Sequence, residues 1–331
     1  MKEALESRLA GYGAHLVSMR RLAGGASQEA WIVRVGGDAQ GERDLVLRRD
    51  MGGSLSSAAR TRAEEYALLK AAYEAGVRVP RVVYEPMMLE GRQAFLMEHL
   101  AGETIGRRLV RDEAFARARD VLPEQTMGAL VRIHAIDPAR LPFLVKGQGV
   151  LDLLAALERD LDNCGEGHPA LELGLRWLHL NAPHPERTTL VHGDFRVGNF
   201  VVGPDGLRGV LDWELAHAGD PDEDLGWFCV RAWRFGRNDL AAGGITTREH
   251  LLEAYRAAGG HGLSLERLRY WELYGNVKWG IGALSQAARH LRGEEISIEL
   301  ATLGRLAAEM ELETLHLLEQ AWQRQYAERS D

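Results

Sequence analysis

The stretch Leu190-Val191-His192-Gly193-Asp194-Phe195-Arg196-Val197-Gly198-Asn199, followed at 211–214 by Leu211-Asp212-Trp213-Glu214, decides how the chain is read. Between its two halves, the apolar runs 200–202 and 209–211 flank the turn Gly203-Pro204-Asp205-Gly206, a hairpin pattern. The surroundings are helical: 113–136, 151–161, 171–180, 265–291 and 298–326 carry apolar residues at helical spacing. Before residue 100 the pattern is different. Segments 17–22, 30–35, 44–49, 82–84 and 94–97 read as five strands with Gly-rich connectors at 23–27 and 36–41, and 58–75 reads as one main helix through Tyr66, Leu69 and Tyr73. The expected fold class is α+β. A small five-stranded antiparallel lobe occupies 1–99, and a larger, mostly helical lobe containing the hairpin occupies 100–331, the two meeting through 98–102.

The 331 residues, 46% hydrophobic and 27% charged, suffice for a substantial core without disulfides and exclude wholesale disorder. A formal charge of −8, with the excess acidity after residue 100, gives no basic field for nucleic acid. Cys164 and Cys229 have no paired spacing, so a disulfide framework or cysteine metal site is not expected. The first residues mix charges where a signal peptide needs an apolar run, and no stretch approaches the ~18 apolar residues of a membrane span. A soluble, cytoplasmic chain without membrane partners is expected.

The order His192-x-Asp194, four residues, then Asn199 has the spacing of a kinase catalytic loop. Magnesium is a hard cation that takes oxygen ligands, and nucleotide phosphates fill much of its shell, so the amide of Asn199 and the carboxylate of Asp212 suffice as protein ligands. Asp194 then stays free of metal, available to orient an alcohol and accept its proton. Taken singly, each residue has another reading: Asp194 capping a turn, Asn199 in a left-handed position, Asp212 starting a helix. For His192 a buried loop brace is preferred over a proton carrier.

In these residues the chain resembles the aminoglycoside phosphotransferase and choline kinase-like family, which carries His-Gly-Asp, Asn five residues after the Asp, a hairpin, and then Leu- or Ile-Asp. The resemblance implies a bilobal protein-kinase-like fold and transfer of the γ-phosphoryl group of ATP, with Mg2+, to a hydroxyl of a small molecule. Asp194 becomes the catalytic base, Arg196 a cation for the transferred phosphoryl group, and Asn199 and Asp212 the metal ligands. The run Gly219-Asp220-Pro221-Asp222-Glu223-Asp224-Leu225 is similar to the family's Gly-Asp-Pro-x-x-Asp-Leu, which makes Asp220 and Asp224 structural. Where most members place a third-strand lysine this chain has Arg48, as does the branch resembling the kinase domain fused to certain acyl-CoA dehydrogenases. Glu65 is its expected helix partner, with Glu64 second. The resemblance also assigns Ser27 to a nucleotide-covering turn and the Glu98 carbonyl and Leu100 amide to adenine.

The acceptor stays open. Asp222 and Glu223 suit a polycation such as an aminoglycoside. Arg231, Arg234 and Arg237, with Trp227, Trp233 and Phe235 on the following helix, and with Trp279 and Arg289, suit an anionic or partly apolar acceptor, such as a hydroxy acid or hydroxyacyl thioester. From another class, a catalytically weak nucleotide-binding pseudokinase scaffold is favoured only by Arg48. A hydrolase is not supported, because the chain has neither a Gly-x-Ser-x-Gly elbow nor a His-Glu-x-x-His helix.

Overall fold

Strand β3 (Arg43–Asp50) shows how its sheet is built, because successive side chains of a strand point to opposite faces. Leu45 and Leu47 bury on one face with Val33, Val35, Leu5 and Leu9, whereas Val46 buries on the other with Phe95, Met97, Leu68 and Ala72. Arg48 shares the parity of Val46 and so points toward that second face. The computed structural model describes residues 1–22, 28–37, 40–50, 60–144, 149–184 and 187–328. With β1 (His15–Arg21), β2 (Gln28–Gly36), β4 (Val82–Leu89) and β5 (Arg92–Glu98), β3 forms a five-stranded sheet in the order β1-β2-β3-β5-β4, with every adjacent pair antiparallel. Helix α1 (Lys2–Ala10) covers the Leu45 face and α2 (Arg62–Glu74) the Val46 face. The sequence reading has no counterpart of α1, whose apolar signal is only Leu5 and Leu9.

Thr61 opens α2 with a capping box: its side chain accepts from the Glu64 amide, and Glu64 returns the bond to the Thr61 amide. Glu64 is thereby committed to the cap, and Glu65 is the glutamate that faces inward.

Beyond the sheet the chain is mostly helical: α3 (Gly106–Arg111), α4 (Ala116–His134), α5 (Val150–Asp162), α6 (Pro169–Leu180), α7 (Asp222–Cys229), α8 (Arg248–Ala257), α9 (Leu265–Leu291), α10 (Ile298–Leu303) and α11 (Leu306–Glu328). The stretch read as one helix over 298–326 is two, broken at Gly304 and Arg305, where glycine is a poor helix former. The hairpin is present as β7 (Phe200–Gly203) and β8 (Gly206–Val210); β6 (Thr189–Val191) pairs with β9 (His217–Gly219). No helix among the described residues is long and apolar enough to cross a membrane.

One apolar cluster runs from the α2 face of the sheet through α4 and the hairpin to α7 and α8, so sheet and helices share a core. A second lies between α5, α6, α9 and α11. The arginines expected to meet an acceptor are instead committed to carboxylates. Arg231 pairs with Glu309 at 2.8 Å and Glu313 at 3.0 Å, and Arg237 with Asp239 at 3.2 Å. Arg289 pairs with Glu295 at 2.8 Å. The fully buried Glu272 accepts from both Arg234 and Arg248 at 2.6 Å. Arg231, Trp233 and Arg234 follow α7 on a 3-10 turn at Arg231–Arg234 rather than on a helix.

Helices α7 and α9 meet backbone to backbone at Gly226, where an added Cβ would lie 2.3 Å from the Trp271 carbonyl carbon and 2.7 Å from the Glu272 nitrogen. Gly226→Ala is therefore expected to destabilise the protein by about 2–3 kcal/mol, at the upper end for overpacking because main-chain atoms must move. The denaturant midpoint measures it, and an unchanged midpoint would contradict this packing.

Candidate functional site

The loop carrying Asp194 is fixed from below by a buried carboxylate. Asp224, in the first turn of α7, accepts from the backbone amides of His192 (2.7 Å) and Gly193 (2.9 Å) and also contacts His134 Nε2 at 3.2 Å. Gly193 has φ +80°, and a Cβ there would meet the Leu215 carbonyl at 2.4 Å, so the turn requires glycine twice over. His192 is buried: its Nδ1 accepts from the Asp194 amide at 3.2 Å, so Nε2 carries the proton and donates to the Leu211 carbonyl at 3.1 Å. Burial pushes the imidazole below its ordinary value, against the pull of Asp224 and Asp194. His192 is thus a neutral brace between the two halves of the motif.

The side chain of Asp194 is itself held by three donors. Its Oδ1 accepts from Arg196 Nε at 2.9 Å and from Trp227 Nε1 at 2.8 Å, and its Oδ2 from Asn199 Nδ2 at 2.6 Å. Asn199 Nδ2 also reaches the Asp194 carbonyl at 2.9 Å, and since Asp194 presents only acceptors, the amide nitrogen must face it. The amide oxygen of Asn199 is thereby turned away from the Asp194 side chain. Arg196 also lies over the Trp233 ring, 4.5 Å from its centroid.

Asp212 stands at the far end of the hairpin with φ +65°, a left-handed conformation that is rare outside glycine, asparagine and aspartate. The Leu211 amide beside it donates to the Asn199 carbonyl at 2.8 Å, which joins the two ends of the hairpin. From β3, Arg48 reaches Asp212 Oδ1 at 3.2 Å with one terminal nitrogen and the fully buried Glu65 at 2.8 Å with the other. Arg62 closes on the second oxygen of Glu65. Arg60 fastens the start of α2 to the same loop, through its amide to the Glu214 carbonyl (2.9 Å) and its Nε to the Ala216 carbonyl (2.8 Å).

Arg48, Glu98, Leu100, Asn199 and Asp212 all line one cavity of about 460 Å³ between the sheet and the hairpin, with Val46 and Leu211 among its apolar walls. The Glu98 side chain faces Arg81 (3.1 Å), leaving its main chain as the part relevant to the cleft. Ser27 lies outside the described residues. Among the described residues, no group of three or more His, Cys, Asp or Glu could hold a metal. One carboxylate and one amide oxygen beside a nucleotide need no such group.

Two features escaped the sequence reading. Trp227, grouped there with acceptor aromatics, donates to Asp194; only its place seven residues after Asp220, in the Asp-Leu-Gly-Trp run, marks it. Beneath it the nearly fully buried Glu223 accepts from His217 Nε2 and Lys278 Nζ, both at 3.0 Å, and Lys278 lies 5.0 Å from the Trp227 ring centroid. This glutamate, expected to attract a cationic acceptor, is already paired. Burial would raise its carboxyl, but Lys278 and His217 more than offset that and hold it down at about 2.

A depressed carboxyl stabilises the fold fully above its ordinary value of 4.5 and ceases to do so as pH falls through about 2. His217, raised above 6.5 by Glu223 against burial, contributes below 6.5 and loses its share as pH rises through its higher folded value. Glu223→Gln is thus expected to lower stability by on the order of 2 kcal/mol near pH 6, with the difference from the parent shrinking between pH ~4.5 and ~2. Urea midpoints across this range test it; a constant difference would contradict the pairing.

Comparison with known proteins agrees with this architecture. A putative aminoglycoside phosphotransferase from Ralstonia eutropha JMP134 superposes with a TM-score of 0.75 at 20% identity, covering 97% of this chain and 98% of that one. The GDP complex of aminoglycoside 2'-phosphotransferase-IIIa gives 0.64 at 16%, covering 94% and 96%. A macrolide 2'-phosphotransferase from Brachybacterium faecium gives 0.62 at 22%, covering 93% and 97%. Among curated sequences, acyl-CoA dehydrogenase family member 10 of Mus musculus is 29% identical over 279 residues, 77% of this chain and 25% of that protein. Family member 11 of Gallus gallus is 27% identical over 331 residues, 90% of this chain and 40% of that protein. The chain thus spans a quarter to two fifths of the length of these two relatives. Residues 18–271 match the family described as the phosphotransferase enzyme family, and the chain belongs to it.

Proposed function

We propose that the chain is a kinase that uses ATP and Mg2+ to phosphorylate a hydroxyl of a small molecule. The observation carrying this reading is the convergence of Asn199, Asp212 and Arg48 on one cleft, with Asp194 hydrogen-bonded to Asn199 at 2.6 Å. The complex of a fold neighbour with GDP supports a nucleotide as co-substrate. The Glu98 carbonyl and Leu100 amide meet the adenine, Arg48 meets the α- and β-phosphates, and Glu65 holds Arg48 in place.

The oxygen of Asn199 and the carboxylate of Asp212 would hold the magnesium ion, which would supply positive charge against the nucleotide phosphates. Asp194 hydrogen-bonds the acceptor hydroxyl and takes its proton as the oxygen bonds to the γ-phosphorus and the bond to the β–γ bridging oxygen breaks, releasing ADP. Trp227 and Arg196 load one oxygen of Asp194, which orients the other toward the acceptor. Arg196 also offsets charge on the phosphoryl group in flight. Cys164 and Cys229, both free thiols, accord with a reducing cytoplasm.

Asp194→Asn is expected to lower kcat about 10²–10⁴-fold while the protein still shows Mg2+-dependent thermal stabilisation by ATP. The acceptor is read from ATP consumption across aminoglycosides, choline, homoserine, sugars and hydroxyacyl thioesters. A hydroxy acid or hydroxyacyl thioester is the second reading, favoured by the acyl-CoA dehydrogenase family relatives. Nucleotide binding with no turnover on any acceptor would contradict the kinase reading and favour a scaffold.

Trp227→Phe keeps the ring packing and removes one bond to a charged acceptor. It is expected to reduce kcat roughly 10–100-fold with the KM for ATP unchanged. An unchanged kcat, or a loss confined to KM, would remove Trp227 from this role.

A further inference from the structure

Of the 40 lysines and arginines in the chain, only four are lysines. One of these, Lys278 on α9, has walls on three sides. Its Nζ donates to Glu223 at 3.0 Å and lies 5.0 Å from the centroid of the Trp227 ring and 5.7 Å from that of Tyr274. Glu223, Trp227 and Tyr274 are all buried. The walls come from two helices in step: Glu223 and Trp227 lie four residues apart on α7, and Tyr274 and Lys278 four apart on α9, which puts each pair on one helix face. A compact ammonium meets a carboxylate and two ring faces at once, where a flat guanidinium would need more room.

The positive charge here is not cancelled by Glu223. That carboxylate also accepts from His217 Nε2 at 3.0 Å, and Nδ1 of His217 faces the Leu215 carbonyl at 3.0 Å. A carbonyl and an ionised carboxylate only accept, so both ring nitrogens of His217 donate and the ring is an imidazolium. Two cations thus share one carboxylate, and Lys278 keeps a net positive charge beside Trp227. The same indole donates its Nε1–H to Asp194 Oδ1 at 2.8 Å. A cation over the ring draws electron density toward itself and leaves the N–H at the ring edge more positive, which strengthens its bond to a carboxylate. Arg196, the other donor to Asp194 Oδ1, lies over Trp233 instead.

We propose that Lys278 is a positioning residue for Asp194: held by Glu223 beside Trp227, its ammonium polarises the indole and so tightens the hydrogen bond that fixes Asp194 Oδ1. Lys278 acts through the ring, without touching the reacting groups. The consequence for turnover rests on the kinase reading, whereas the effect on the hydrogen bond does not.

The test is a pair of double-mutant cycles on the full chain. In the first, tryptophan is 15N-labelled and the indole cross-peak missing from Trp227→Phe is the reporter. Lys278→Met keeps the stem and removes the charge, and is expected to move the Trp227 indole proton upfield, with Lys278→Arg moving it less. In an Asp194→Ala background the displacement caused by Lys278→Met is expected to shrink at least twofold, because only the direct field of the charge survives there. In the second cycle, ATP consumption is followed with the acceptor that turns over in the panel above. Lys278→Met is expected to lower kcat about 3–10-fold with the KM for ATP unchanged, and to lower it no further in a Trp227→Phe background. A displacement of equal size with and without Asp194, or a kcat loss of the same factor in Trp227→Phe, would overturn the proposal. Should Lys278→Met misfold, as its amide spectrum would reveal, Lys278→Arg carries both cycles. If no acceptor turns over, the kinase reading fails, and the spectroscopic cycle alone decides the role of Lys278.

Discussion

The site depends on one buried carboxylate. Asp224 accepts two consecutive backbone amides, those of His192 and Gly193, and so determines where Asp194 emerges. Its burial is supported by a polar chain that continues from His134 through Tyr255 and His261 to Asp222 and on to Arg267. Amides of a sharp turn cannot pair with their own neighbours, so an acceptor must come from elsewhere, and the first turn of α7 supplies it. Removing such an acceptor leaves buried donors unpaired, which costs more than the bond contributes when made. The position of α7 therefore bears on Asp194 twice, through Asp224 below the loop and through Trp227 on the side chain.

A second constraint ties the sheet to the loop. Arg48 bridges Glu65 on α2 and Asp212 beyond the hairpin, while Arg60 binds the start of α2 to 214 and 216. A guanidinium does this with two separate nitrogens, where an ammonium would have to serve both carboxylates from one point. The substitution of arginine for lysine thus fits the geometry on the protein side. It also places a cation 3.2 Å from Asp212 on the wall of the cleft.

Much of this was legible in the sequence because the motif residues are local and chemically distinctive. His192, Asp194, Asn199 and Asp212 lie within one loop and hairpin, and the alternation at Leu45, Val46 and Leu47 announces a strand buried on both faces. The inward choice of Glu65 over Glu64 was readable from the helix, and the cap at Thr61 explains it. What was not legible depended on distant partners. Arg231 and Arg234 look free in sequence, but their carboxylates lie on α9 and α11, some 40 to 80 positions away. Trp227 looked like an acceptor contact for the same reason: its bond to Asp194 spans 33 positions. Helix α1 was missed because two leucines set no period.

The most direct measurement is a crystal structure with Mg2+ and a non-hydrolysable ATP analogue. A metal is expected about 2.0–2.1 Å from the Asn199 amide oxygen and an Asp212 carboxylate oxygen, with phosphates against Arg48 and Asp194 outside the metal shell. A nucleotide seated elsewhere, or a metal ligated by Asp194, would contradict it.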